Sequence, residues 1–308
     1  MSALREAAES YLATRRACGY ALRQEGRMLL DFVGKLERGG ARRITVDTAL
    51  AWATEPRHAD PVWWAKRLTV VRGFARYLST LDEDSEVPPA DLLPGKVHRS
   101  TPYLYSPAQI AALMGAARRL ASPLRAATFE AFIGLMAVTG LRTGEAMNLD
   151  RADVDLAEGM LMVRNSKFGK SRHIPVHPTT TVALGRYARR RDELCLRPAA
   201  LSFFLSGAGT RLNHTNASKT FAGLLRVTGI VAPPGGRRPR LYDLRHSFAV
   251  GTLLTWYEDD LDVPARLPAL STYMGHAAPS ATYWYLQAAP ELMALAARRL
   301  ERFLGERP

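Results

Sequence analysis

The amino-acid sequence predicts a mainly α-helical fold with a small antiparallel β-sheet, divided between two domains. Three observations predict it. Apolar residues recur at helical spacing from Leu4 to about Leu78. A stretch with no sustained period, acidic, then proline-rich, then basic, follows at residues 81–107. Beyond it, two short extended runs flank a glycine-containing turn inside an otherwise helical succession. With 308 residues, 47% of them hydrophobic, the chain can bury two ordinary cores.

In the first domain, residues 1–87, Tyr11, Leu12, Val70, Phe74, Tyr77 and Leu78 mark helix faces, and GGARR and EPRHADP break them. A small helical bundle is expected. Its segment WWAKRLTVVRGFARYL mixes Trp63 and Trp64 with Lys66, Arg67, Arg72 and Arg76, which suits a helix with one core face and one basic face. LDEDSEVPPADLLPGKVHRSTPYLYSP reads as an interdomain linker, bounded at 88–105. The second domain, residues 106–308, opens on SPAQIAALMGAARRL, with Ser106 as N-cap and Pro107 at the first helical position. A long apolar helix, ATFEAFIGLMAVTG, is closed by Gly140, and TGEAMNLDRADVDL follows. GMLMVRNS and RHIPVH, separated by KFGKS, predict a hairpin from their β-branched content and the glycine between them. Helices resume at TTVALGRYARRRDEL, NASKTFAGLLRVTG, DLRHSFAVGTLLTWY and the C-terminus, where Leu292, Leu295, Ala296, Leu300, Phe303 and Leu304 share one stripe.

Composition narrows the function. The formal charge is +13 and uneven: residues 1–100 hold 16 Lys+Arg against 13 Asp+Glu, an excess of +3, which leaves +10 for the rest. A polyanion is the expected partner, nucleic acid before an anionic membrane surface. Two cysteines, Cys18 and Cys195, build neither a disulfide framework nor a cysteine zinc site. The first 30 residues mix charge with apolar residues and lack a secretory h-region, and no apolar run reaches 18 residues. A cytoplasmic protein without a membrane span is expected.

Four segments stand out by residue type: TGLRTGEAMNL, NSKFGKSRHIPV, LYDLRHSFAV and MGHAAPSATYWYL. Taken singly, each has a plain reading. An isolated arginine such as Arg142 pairs with a surface carboxylate, lysines at a hairpin tip are solvent-exposed, and tyrosines beside Trp284 belong to a core. Together they supply two arginines, a lysine, a histidine and a phenol in a strongly basic chain. Those are the parts needed to attack a phosphodiester without a metal. Guanidinium forks bind the nonbridging oxygens and stabilise the pentacoordinate transition state, and the phenol is the nucleophile. A flexible ammonium at the hairpin tip can serve as proton donor. His173 and His177 stand four residues apart, but on a strand that separation is about 13 Å, so no metal site is expected.

In order and spacing, TGLR followed by Glu145, SKFGKSR before an IPV strand, DLRHSFA, and GH with a tyrosine nine residues later resemble the tyrosine recombinases, or phage integrase family. The likeness extends over the whole chain in architecture, with motif matches over roughly the last 170 residues. It implies a helical core-binding domain followed by an α+β catalytic domain. Position by position it implies that Arg142 and Arg245 clamp the scissile phosphate. Lys167 is then the general acid for the departing 5′ oxygen, with Lys170 its less favoured neighbour. His276 hydrogen-bonds the phosphate, and Tyr285 is the nucleophile, with Tyr283 its rival. Glu145 is implied to be a buried partner that orients the cations. His246, about 100° around the helix from Arg245, is expected to be structural and outside the site. The reaction implied is strand exchange through a 3′-phosphotyrosyl link and a Holliday junction, on double-stranded DNA, within a homotetramer. It needs neither cofactor nor metal, because the phosphotyrosine conserves the bond.

One position departs from the pattern. Three residues before the second arginine most members carry histidine, and this chain carries Tyr242. A phenol donates a hydrogen bond but is uncharged near neutral pH and is a poor base, so an active but slower enzyme is expected, with Tyr242 in the site. Two other readings stay open on the sequence: a catalytically weak DNA-binding regulator of the same fold, and a type IB topoisomerase-like activity. The C-terminal stripe is expected either to pack on its own core or to dock on a neighbouring protomer.

Overall fold

The computed structural model describes residues 2–81, 84–94, 101–164, 166, 171–276, 280–288, 292–295, 297–298 and 301. Its contacts separate into two units, Met1–Arg99 and Ser100–Pro308.

The first unit holds four helices, α1 (Ala3–Ala17), α2 (Arg23–Arg38), α3 (Val46–Thr54) and α4 (Pro61–Leu78). Short polar residues start three of them: Ser2, Thr45 and Asp60 accept hydrogen bonds from the first-turn N–H groups of α1, α3 and α4. Leu12, Leu29, Phe32, Trp52, Leu68 and Phe74 meet in a common core. Each such side chain contributes about 1.5–3 kcal/mol when fully buried. That burial, more than helix propensity, holds short helices together. The expected basic face of α4 is partly committed to the unit itself. Arg67 lies 3.7 Å over the Trp52 ring and donates to the Trp52 carbonyl at 2.7 Å. Arg72 donates to the carbonyls of Pro88, Pro89 and Ala90. The segment read as a linker is therefore fastened to the first unit at its start.

At its other end the segment joins the second unit, where the Tyr105 N–H donates to Ser247 and the Tyr105 hydroxyl to the Arg240 carbonyl. Helices α5 (Pro107–Arg118), α6 (Pro123–Thr139) and α7 (Thr143–Asn148) lead into strands β1 (Val154–Asp155), β2 (Met160–Val163) and β3 (Arg172–Pro175). Helices α8 (Pro178–Leu194), α9 (His214–Thr228), α10 (Asp243–Glu258), α11 (Val263–Met274) and α12 (Ser280–Ala288) follow. Ser106 caps α5 in a capping box with Gln109, as its sequence predicts.

The strands form an antiparallel sheet in the order β1-β2-β3, with Met160 opposite Pro175 and Val163 opposite Arg172. The hairpin expected around KFGKS is present, although residues 165 and 167–170 lie outside the described residues. Strand β1 was not anticipated, because two residues are too few to show alternation. Helix α11 was not anticipated either: VPARLPALSTYM carries Pro264 and Pro268, and only the first sits in the opening turn, where a missing N–H costs nothing. Phe132, Ile133, Phe204, Phe221, Leu241 and Leu244 lie in the main core. A smaller cluster of Leu253, Val263, Leu267, Met274, Tyr285 and Leu292 joins α10, α11 and α12. Of the C-terminal stripe, Leu292 is buried in this unit and Leu295 is half-buried. Ala296, Leu300, Phe303 and Leu304 lie outside the described residues.

Candidate active site

Two glycines set the frame of the site. Helix α6 ends at Gly140 with φ +58°, and α11 ends at Gly275 with φ +69°, the left-handed region that disfavours a Cβ. Space forbids one as well: it would stand 2.4 Å from Phe248 Cδ1 at Gly140 and 2.6 Å from Arg172 Nη1 at Gly275. The carbonyls at these ends have no helical donor, and three arginines supply the hydrogen bonds. Arg245 donates to Gly140 at 2.6 Å and to Met274 at 2.8 Å. Arg142 donates to Gly275 at 2.7 Å, and Arg172 donates to Tyr273 at 3.0 Å and Met274 at 3.4 Å. Cations at a helix C-terminus also meet the negative end of its dipole.

Glu145 joins two of these arginines. Arg142 is the N-cap residue of α7; its backbone N–H donates to Glu145 Oε2 at 3.0 Å and its Nη1 to Oε1 at 2.7 Å. Arg172 closes a fork on the same carboxylate at 3.1 and 2.9 Å. Burial alone would push the Glu145 carboxyl up, but the Arg172 and Arg142 hydrogen bonds and the Arg172 charge outweigh it and hold the group below the usual carboxylate range. The carboxylate is therefore ionised, as the sequence reading of a buried orienting partner requires. Arg245 has no exposed surface, and its Nε is buried without a hydrogen-bond partner among the described residues. Two carbonyls fix its plane while the Nε–H finds no acceptor among the described residues, at a cost of about 1–3 kcal/mol unless something accepts it.

Tyr285, on α12, is 2% exposed. Its ring stacks on His276 at 6.0 Å between centroids and is tilted against His246 at 5.6 Å. Burial pushes the hydroxyl's pKa up and Arg245 pulls it down, with a net rise, so the phenol is neutral at pH 7. His276 Nδ1 lies 2.7 Å from Thr282 Oγ1. Burial, then the charges of Arg245, Arg142 and Arg172, push its pKa down to about 4. Its imidazole is neutral near pH 7, with Nδ1 held by the Thr282 hydroxyl. Tyr283 is 50% exposed.

Tyr242 precedes α10 in helical conformation and is 37% exposed, its ring centroid 5.1 Å from that of His246 in an edge-to-face arrangement. His246 corrects the sequence reading, which set it outside the site. The angle from Arg245 is as expected, but α12 packs on the face to which His246 turns, so the ring meets both Tyr285 and Trp284. Its Nδ1 is buried without a partner among the described residues, and burial pushes its pKa down to about 4.

Arg142, Arg245, His276, Tyr285 and, at the edge, Tyr242 thus converge. Lys167 and Lys170 lie outside the described residues. Arg172 was missed by sequence reasoning. Its local signal, an arginine at the first position of a strand, is weak, and its partners are 27 and about 100 residues away along the chain. Chemically, the cluster offers fixed guanidinium charge, a neutral imidazole and a buried phenol, a set suited to nucleophilic displacement at phosphorus.

The chain matches the model of the phage integrase family over residues 105–291. It is 44% identical over 308 residues, 98% of both chains, to "Putative integrase/recombinase y4rB" of Sinorhizobium fredii. It is 31% identical to tyrosine recombinase XerD of Xanthomonas campestris, over 85% of this chain and 79% of that one. In fold it is similar to the Tn1549 transposon integrase solved in complex with transposon right end DNA, with a TM-score of 0.65 at 16% identity over 97% and 99% of the two chains. The XerH site-specific recombinase bound to its palindromic difH substrate gives a TM-score of 0.65 at 17% identity, over 89% and 78%. Among the described residues no helix is long and apolar enough to cross a membrane.

Proposed function

Because the chain belongs to the phage integrase family and is a tyrosine-type site-specific recombinase, we propose that Tyr285 is its nucleophile, with Arg142, Arg245 and His276 as the phosphate-binding groups. One observation carries the assignment: Tyr285 is the tyrosine packed on His276 beside the Arg245 guanidinium, whereas Tyr283 is half exposed. In the proposed step Tyr285 Oη attacks phosphorus and passes its proton to water, the bond to the 5′ oxygen breaks, and Lys167 gives its proton to the leaving oxygen. A 3′-phosphotyrosyl link results, and the 5′-hydroxyl of a partner strand reverses the step with its own strand in place. Fixed guanidinium charge aimed at the developing oxyanions lowers the barrier without reorganisation.

The substrate in this reading is double-stranded DNA. Residues 1–87 form the DNA-gripping domain, residues 106–308 the catalytic domain, and a homotetramer on DNA completes strand exchange in the cytoplasm. The charge of +13 and the DNA-bound state of the similar folds, among them a lambda integrase tetramer on a Holliday junction, support it. The test uses nicked suicide duplexes of randomised sequence, in which cleavage releases a short fragment and traps the covalent adduct. Adduct is expected from the parent chain and from Tyr283→Phe, and none from Tyr285→Phe. Adduct from Tyr285→Phe would assign the nucleophile elsewhere.

A further inference from the structure

We propose that Arg172 is a positioning residue for the cleavage step: it holds the turn that carries His276, and through it the Tyr285 pocket, in register with the Arg142 clamp. The proposal rests on the recombinase reading above.

The geometry is specific to a guanidinium. Nε and Nη2 donate to the carbonyls of Tyr273 and Met274, the last two residues of α11, while Nη1 and Nη2 take both oxygens of Glu145. One planar group thus spans α7, where Arg142 begins, and the turn in which Gly275 and His276 follow. The Arg142 side chain completes a closed loop, pairing with Glu145 at one end and the Gly275 carbonyl at the other. Arg172 is itself 14% exposed and Glu145 7%, so the fork is drawn up in a region of reduced solvent screening. Arg172 also lies where a Cβ on Gly275 would fall. Glycine at this position leaves the room that the approach requires. A lysine keeps the charge but replaces the fork with a single flexible point donor, and it cannot hold two carbonyls and two carboxylate oxygens at once. The expected consequence is a turn displaced by a fraction of an ångström to an ångström, with His276 moved relative to Arg142. A displacement of that order costs about 10²-fold in rate.

Arg172→Lys, in the full chain, is the test, read on a nicked suicide duplex carrying a sequence recovered from the parent chain's own adducts. Single-turnover cleavage at saturating DNA is expected to fall about 10²-fold, with DNA affinity changed less than about threefold and a cooperative thermal melt retained. The defect is expected to persist on a duplex with a 5′-bridging sulfur at the scissile phosphate, whose thiolate departs without an acid. Parental cleavage by folded Arg172→Lys would overturn the proposal. So would full recovery on the sulfur duplex, which would put the defect on the leaving-group side, or a loss accounted for by weakened DNA binding. If Arg172→Lys does not melt cooperatively, Glu145→Gln serves as the second variant: it removes the charge between the same arginines, is expected to show the same pattern, and parental cleavage by it overturns the proposal. Absence of a Tyr285-dependent adduct from the parent chain would defeat the recombinase assignment itself, a different result.

Discussion

At the scale of residues, the informative positions are the ones whose setting packing alone does not explain. Tyr242 stands where the family resemblance leads one to expect histidine, and the structure sets it edge-on to His246 at 5.1 Å while leaving it 37% exposed. In the proposed site its hydroxyl is a donor to the substrate, so Tyr242→Phe should lower single-turnover cleavage by about 10² at most. Tyr242→His should restore it. A Tyr242→Phe chain at parental rate would remove the phenol from the reaction. The two histidines give a pH prediction. His246 and His276 have folded-state values near 4, below the unfolded value of about 6.5. The unfolded chain then binds more protons between those limits, so stability is full above about pH 6.5 and falls on acidification toward pH 4. Glu145, held below its ordinary range, adds its loss only at still lower pH. Thermal melts at about pH 7.5 and pH 5 should differ, with the lower transition at pH 5, and His246→Phe should narrow the gap. A melt that does not move contradicts the assignment of both rings as neutral.

At the scale of elements, the ends of helices matter more than their middles. Gly140 closes α6 in a left-handed conformation against Phe248 and offers its carbonyl to Arg245. Gly140→Ala should cost about 1–2 kcal/mol for the backbone alone, lowering the melting temperature by about 2–8 °C, and should impair cleavage by shifting Arg245. A melt and a cleavage rate both unchanged would mean that the turn relaxes freely. This scale also shows what the sequence could and could not reveal. Helix α5 was legible because Ser106 and Pro107 announce it and Gln109 completes the box. The closure at Gly140 and the hairpin were legible because glycine and β-branched residues act locally. Helix α11 was hidden by Pro264 and Pro268, and the role of Arg172 by its distant partners. His246 was misread for a related reason. Helical angle gives the direction of a side chain, but what lies in that direction is a matter of tertiary packing, here of α12 on α10.

At the scale of the whole molecule, the second unit joins two functions in one small cluster: Tyr285 lies in the apolar group formed by α10, α11 and α12, and the arginines converge on the end of α11. The helix that carries the proposed nucleophile is thus packed against the helix whose C-terminal carbonyls anchor Arg142, Arg172 and Arg245. A nucleophile seated in a core can be fixed without any metal template, which fits a transfer reaction that must run in both directions from one covalent intermediate. That account stands on the identity of the linked residue. The most direct measurement is mass spectrometry of the peptide attached to DNA after trapping on a nicked suicide duplex. A nucleotide joined to Tyr285 and no adduct in Tyr285→Phe are expected; a nucleotide on Tyr283, or an adduct that survives Tyr285→Phe, would place the nucleophile elsewhere.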